Sequence, residues 1–190
     1  MTAIALRPAV PADSEFCFQL HKVAMGGYVA ATWGWDDAVQ RGFHARAFDP
    51  GRWQIIIADG ADAGMLDVEY RPAEIYLARI EIHPDHQGQG IGAGLIQELI
   101  EYARQRDQHL TLDVLTVNRR ALAFYQRHGF QEIARHGTRH QDQDEVCRPS
   151  VGKLPALPDV GRPRRPVRSP ARPEELGSLA GEPQELLARL

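Results

Sequence analysis

"HPDHQGQGIGAGLIQELIEYA", residues 83–103, sets glycines at 88, 90, 92 and 94 in front of an apolar pattern with helical spacing. Leu95, Ile96, Leu99, Ile100 and Ala103 recur at intervals of three and four, which predicts a helix over about 91–106 with one buried face. The preceding "EIYLARIEIH" reads as a strand ending at Pro84. A helix start leaves backbone N–H groups unpaired and carries a positive dipole end, so a strand, a glycine loop and a helix in this order suit a bound anion. Glycine matters here because a Cβ would hold a phosphate away from the backbone and would resist positive φ. The same glycines could instead serve a tight turn or close packing of helix on sheet.

The spacing narrows the anion. The loop has no Gly-Lys-Ser/Thr ending, so it lacks the lysine and hydroxyl of a nucleoside-triphosphate loop. It alternates Gly-x-Gly-x-Gly-x-Gly, and some 80 residues precede it, neither of which suits a dinucleotide fingerprint. A phosphate or pyrophosphate of some other kind is the expected ligand.

Composition bounds the rest. The chain has 190 residues, 43% hydrophobic and 25% charged, with a net charge of −3. That suits one domain and gives no global basic field for nucleic acid. Two cysteines, Cys17 and Cys147, form neither a metal-ligand spacing nor a disulfide framework, so no metal is expected. No apolar run approaches 18 residues and the start does not resemble an export signal, so a cytoplasmic protein without membrane contact is the expectation.

A coarse pass predicts a mixed α/β sheet flanked by helices. "AIALRPA" reads as a strand, Asp13 as the cap of a helix over 14–25, and 35–48 as a second helix. "WQIIIA" and "AGMLDVEY" flank "DGAD", a hairpin turn signal. "LTLDVLTV" is a further strand, "RRALAFYQRH" a helix closed by Gly129, and "FQEIA" a strand after it. The polar, proline-ended "QDQDEVCRPSVGKLP" predicts that a final strand is weak or missing. Eight of the 13 prolines fall at or after Pro149, which divides the chain into a domain over 1–149 and a Pro/Arg-rich, disordered tail over 150–190, with one short helix possible at "EPQELLARL".

The segment "IEIHPDHQGQGIGAGLIQELIEYA" resembles the acetyl-coenzyme A binding segment of the GCN5-related N-acetyltransferases (GNAT), whose Gln/Arg-x-x-Gly-x-Gly/Ala signature is filled by Gln87, Gly90 and Gly92. "LTLDVLTVNRRALAFYQRHGF" is similar to the same family's following strand, asparagine and helix, through Asn118, Ala121, Phe124, Tyr125, Gly129 and Phe130. With "IALRPAVPAD", the resemblance covers about residues 3–135.

The resemblance implies a GNAT-like acyl-CoA N-acyltransferase fold and acetyl-CoA as cosubstrate. The N–H groups of Gly88, Gln89, Gly90, Ile91, Gly92 and Ala93 would hold the pyrophosphate, beside Gln87. Strand edge groups at Ile80, Glu81 and Ile82 would pair with pantetheine on one side and Asn118 on the other, and Arg119 or Arg120 could reach a phosphate. The implied reaction is direct transfer of acetyl to a primary amine in a ternary complex. The Ile82 N–H is the candidate donor to the developing oxyanion, and Tyr125, by family analogy, the acid for the departing thiolate. For the base, Glu81 and Asp113 stand level, with His83 behind them.

For the acceptor, "GGYVAATWGWDDAVQ" gathers Tyr28, Trp33, Trp35, Asp36 and Asp37, a set suited to enclosing a cation and equally to joining two helices by buried aromatics. A small-molecule or peptide amine and a monomer or homodimer fit this reading. The alternative is a coenzyme A binding or regulatory module without transferase activity.

Overall fold

Asp59 and Gly60 both have positive φ, 49° and 87°, and close the two-residue hairpin turn that their sequence predicts. The computed structural model describes residues 2–136 and 146–151. Around that turn, β1 (Ile4–Pro8), β2 (Gln54–Ala58), β3 (Ala61–Tyr70) and β4 (Glu74–Ile82) pair antiparallel in sequence order. The strand β5 (His109–Leu112) then joins β4 in parallel. Beyond it, β8 (Val146–Val151) lies between β5 and β6 (Val114–Leu115) on one edge and β7 (Gln131–His136) on the other.

Two helices cover each face. On one side α1 (Ser14–Trp33) places Cys17 and Leu20 against Trp53, Ile55 and Met65, and Phe43 of α2 (Asp37–Ala47) packs on Val29. On the other, α3 (Ile91–Gln105) buries Leu95, Ile96, Leu99, Ile100 and Ala103 against Leu66, Val68, Ile75 and Leu110. This is the face that its spacing predicts. Tyr125 of α4 (Arg119–Arg127) and Phe130 complete that core. No helix of the described residues is long and apolar enough to cross a membrane.

Some expectations need correction. The final strand, expected to be weak or missing, is present over six residues and runs two residues past Pro149. Pro149 is tolerated because it stands opposite Glu132, next to a register shift at Ile133, where a missing N–H disrupts the ladder least. Arg148 gives β8 its polar look, but its guanidinium is neutralised by the buried Asp113 carboxylate at 2.8 and 3.1 Å. That same Asp113 divides the expected single strand over "LTLDVLTV" into β5 and β6. Helix α1 continues through Gly26 and Gly27 and ends at Gly34, at φ 84°. The 14–25 helix is therefore longer than its sequence suggested. The expected tail and its terminal helix, apart from residues 150 and 151, lie outside the described residues.

Asp13 does not cap α1. Its carboxylate takes two hydrogen bonds from Arg7, at 2.7 and 2.9 Å, and one from the Val10 amide at 2.8 Å. The Arg7 guanidinium holds the Asp13 carboxyl below the ordinary aspartate range, against the opposing effect of burial, and the Val10 amide adds to the lowering. A carboxyl with a depressed folded pKa stabilises the fold above its unfolded value of about 3.9 and loses that contribution as pH falls through the folded value. Asp13→Asn should therefore be less stable than the parent at neutral pH. The difference should shrink in acid, read as thermal midpoints between neutral pH and about pH 2. A constant difference across that range would contradict the assignment.

Gly64 of β3 stands opposite Ile82 of β4 with no room for a side chain. A Cβ there would stand 2.5 Å from the Glu81 carbonyl oxygen, 3.0 Å from Ile56 Cδ1 and 3.3 Å from Ile82 Cα. Backbone atoms cannot swing aside, so Gly64→Ala must separate the two strands. The expected cost is about 1–3 kcal/mol, as for other overpacked interiors, read as a lower urea midpoint. An unchanged midpoint would show that the strands give way freely.

Candidate active site

The parallel pairing of β4 with β5 lasts only from Glu74–His109 to Leu77–Leu112. A register shift against β3 falls across Ala78, and beyond it β4 keeps its β3 partner but has no strand on its other edge among the described residues. The His83 N–H donates to the Ala63 carbonyl at 2.8 Å, which fixes the alternation of the antiparallel ladder. By that alternation the backbone of Glu81 turns toward Met65. The N–H and C=O groups of Ile80 and Ile82 turn to the open edge. Of the three strand positions expected to pair with a ligand, Ile80 and Ile82 turn backbone groups to the open edge, where Gln87 Nε2 donates to the Ile82 carbonyl.

The glycine loop begins where this edge ends. A short 3-10 turn over Pro84–His86 leads to Gly88 and Gly90, with φ 76° and 84°. The Gln87 amide donates to the Ile82 carbonyl at 2.8 Å and ties the loop to the strand. The first helical bond of α3 runs from the Gly94 N–H to the Gly90 carbonyl. Among the described residues nothing accepts from the N–H groups of 88 to 93. At Gly92 a Cβ would meet Ile82 Cδ1 at 3.3 Å and Phe124 at 3.7 Å, so this glycine also allows α3 to lie close on β4.

The open edge and the loop border one cavity of about 730 Å³. Its walls include Ile80, Glu81, Ile82, Gln87, Gly88 and Gly90 to Ala93 from the strand and loop. Asn118, Arg120, Phe124 and Tyr125 close it from α4, and α1 contributes Val23 to Met25, Gly27 and Tyr28. Asn118 uses its side-chain oxygen to cap α4 on the Ala121 N–H at 3.0 Å, leaving its amide nitrogen without a hydrogen bond among the described residues. Tyr125 is buried, flanked by Phe124 and Phe130, and its hydroxyl makes no hydrogen bond among the described residues. Burial pushes the phenol pKa upward, so the group is protonated throughout the physiological range.

The Glu81 side chain turns to the α1 face, where His21 Nδ1 is 2.8 Å and Arg79 Nη1 3.0 Å from Oε1. Its other oxygen, Oε2, is buried and has no hydrogen-bond partner among the described residues. His21 and Arg79 carry no sequence signal that pairs them with Glu81, because His21 lies 60 residues away on another element.

Several residues singled out by sequence stand elsewhere. Asp113 does not line the cavity; besides Arg148 it accepts from the Tyr76 hydroxyl at 3.1 Å. His83 lies outside the cavity, its Nδ1 accepting from the Asp85 amide, and Gln89 bonds back to the Asp85 carbonyl. Arg119 lies outside it too, whereas Arg120 is in its wall. Of the aromatic and acidic set, Tyr28 alone borders the cavity. Trp33 and Trp35 pack on Val29 and Phe43, Asp36 caps α2 on the Val39 N–H, and Asp37 bonds Lys22 and the Trp35 indole. Half-buried aromatics packed between two helices account for the tryptophans, and capping and ion pairing for the aspartates.

Known proteins share this fold. Residues 17–130 match the family described as acetyltransferase (GNAT). Over 76 residues the chain is 40% identical to streptothricin acetyltransferase of Streptomyces lavendulae, a stretch of 38% of this chain and 40% of that one. The chain spans 26% to 51% of the length of the curated relatives it matches. An acetyltransferase from Thermus thermophilus has the same fold at 20% identity and a TM-score of 0.60, over 80% of this chain and 97% of that one. The PaiA N-acetyltransferase of Thermoplasma acidophilum, solved in complex with coenzyme A, aligns at 14% identity and a TM-score of 0.58, over 77% and 98%. The match over more than half of the chain, on a sheet opened beside a glycine loop, identifies this protein as a member of the acetyltransferase (GNAT) family.

Proposed function

We propose that the chain transfers acetyl from acetyl-CoA to a primary amine by direct attack, with both substrates bound in the cavity. The observation that carries this reading is the run of six backbone N–H groups, 88 to 93, without an acceptor among the described residues, at the end of an open strand edge. Such a run at a helix start suits a pyrophosphate. The edge groups of Ile80 and Ile82 suit the amides of pantetheine, which would add to β4 as a further strand, with the Asn118 amide nitrogen opposite. Arg120 stands in the same wall for a phosphate charge.

Acetyl-CoA supplies an acyl group activated as a thioester. The chain's own groups do the remainder. The Ile82 N–H faces the gap and can donate to the acyl oxygen as negative charge builds there; removal of one such donor costs on the order of 3 kcal/mol in comparable sites. The Glu81 carboxylate takes one proton from the ammonium form of the acceptor, directly or through one water. As the N–C bond forms and the C–S bond breaks, the Tyr125 hydroxyl gives a proton to the departing sulfur. The attacking nitrogen sheds a second proton, which restores the Tyr125 hydroxyl. Glu81 is assigned as base over Asp113 because it borders the cavity with one oxygen uncommitted among the described residues, whereas Arg148 and Tyr76 occupy Asp113 outside it.

The acceptor end lies against α1, bordered by Val23, Ala24, Met25 and Tyr28. The test is free-thiol release from acetyl-CoA on addition of an amine panel of amino acids, polyamines, aminoglycoside-type antibiotics and peptide N-termini. Release that depends on the amine supports the proposal. Binding of coenzyme A without release for any amine would leave a coenzyme-binding module instead.

A further inference from the structure

Beneath the cavity, between α1 and β4, three ionisable side chains are packed out of water: His21, Arg79 and Glu81 are 5%, 6% and 4% exposed. Glu81 Oε1 has two neighbours, His21 Nδ1 at 2.8 Å and Arg79 Nη1 at 3.0 Å, and Arg79 Nη1 is also 3.1 Å from His21 Nδ1. One ring nitrogen cannot donate to a carboxylate and accept from a guanidinium at once. A bare lone pair 2.8 Å from a carboxylate oxygen would be repelled, so Nδ1 carries the hydrogen and donates it to Oε1. Arg79 then donates to the same oxygen.

Both donors therefore sit on Oε1, and Oε2 is left without a hydrogen-bond partner among the described residues although it is buried. A buried carboxylate oxygen without a hydrogen bond is costly, and a fold with two donors beside it could satisfy one oxygen each. The Trp35 ring, 6.0 Å from the imidazole centre, lies against His21. We infer that His21 is a positioning residue for acetyl transfer: its Nδ1–H holds Glu81 Oε1 and so fixes the carboxylate of a residue that borders the cavity. His21 does not line the cavity itself and so acts through Glu81. This inference rests on the assignment of Glu81 as the base.

The test uses the full chain with the best amine of the panel and three variants. His21→Leu removes the donor. His21→Gln carries an amide one carbon too far out, and His21→Asn places an amide nitrogen on Cγ, where Nδ1 is attached. The first two should lower kcat about 10-fold to 100-fold, a part of the roughly 10²–10⁴ that a positioned base contributes, with KM for acetyl-CoA unchanged. His21→Asn should restore most of the loss. Should His21→Leu not fold, the Gln and Asn pair decides. Histidine-ring nitrogen NMR of the free protein gives a readout without turnover: Nδ1 of His21 should bear the proton, and its resonance should move in Glu81→Gln. Equal kcat in Asn and Gln variants, or a proton on Nε2 alone, overturns the role of His21. Full activity of Glu81→Gln would instead overturn the base assignment on which the inference rests.

Discussion

Glu81→Gln is expected to lower turnover by about 10²–10⁴-fold at neutral pH, with KM for acetyl-CoA little changed. The amide keeps the volume of the side chain and an oxygen for His21 and Arg79, so the geometry around β4 survives. What it loses is the capacity to take a proton. The defect should shrink as pH rises toward the pKa of an alkyl amine, about 10, because the acceptor then arrives already deprotonated. Stability should fall as well, since the buried Arg79 guanidinium loses the negative charge of Glu81 at 3.0 Å; breaking such pairs costs about 3–5 kcal/mol. Kinetics are therefore compared at a temperature where both proteins are folded. A folded Glu81→Gln protein with parental turnover would remove this carboxylate from the reaction.

Tyr125→Phe is expected to lower turnover about 100-fold with binding of coenzyme A nearly unchanged. A merely structural tyrosine would give a different result. The Tyr125 hydroxyl makes no hydrogen bond among the described residues, so its removal breaks none among them, and a phenyl ring fits the same contacts with Phe124 and Phe130. The thermal midpoint should hold or rise while turnover falls. Because burial raises the phenol pKa, the hydroxyl is a proton donor at every physiological pH. Equal turnover in parent and variant would exclude it as the acid.

Local patterns made much of this architecture readable. The α3 face repeats at helical spacing, the Asp-Gly pair specifies its hairpin, and the glycines from 88 onward stand directly between a strand and a helix. Each signal lies within a few residues of its consequence. The final strand was not readable that way. Pro149 is accommodated by a shift at Ile133, and Arg148 is neutralised by Asp113, 35 residues earlier. Polarity that argues against a strand in isolation is matched by partners from elsewhere in the chain.

The same reasoning separates the site residues. Gly90, Gly92, Asn118 and Tyr125 stand on the cavity because two motifs fix their places on helix starts and helix faces. Trp33, Trp35, Asp36 and Asp113 have suitable chemistry, but packing, capping and ion pairing use them away from the cavity. Composition does not reveal which way a tryptophan or carboxylate will turn. His21 and Arg79 show the converse. Their closeness to Glu81 follows from α1 crossing β4, which no local spacing records.

Backbone amide NMR during titration with coenzyme A, and separately with pantetheine, examines the pyrophosphate cradle itself. Coenzyme A should shift the N–H resonances of residues 88 to 93 strongly, as six donors without partners among the described residues gain acceptors. Pantetheine, which has no phosphate, should perturb Ile80 and Ile82 and leave the loop amides in place. Saturation with coenzyme A that leaves the 88 to 93 amides unmoved would contradict the cradle and the acetyl-transfer reading built on it.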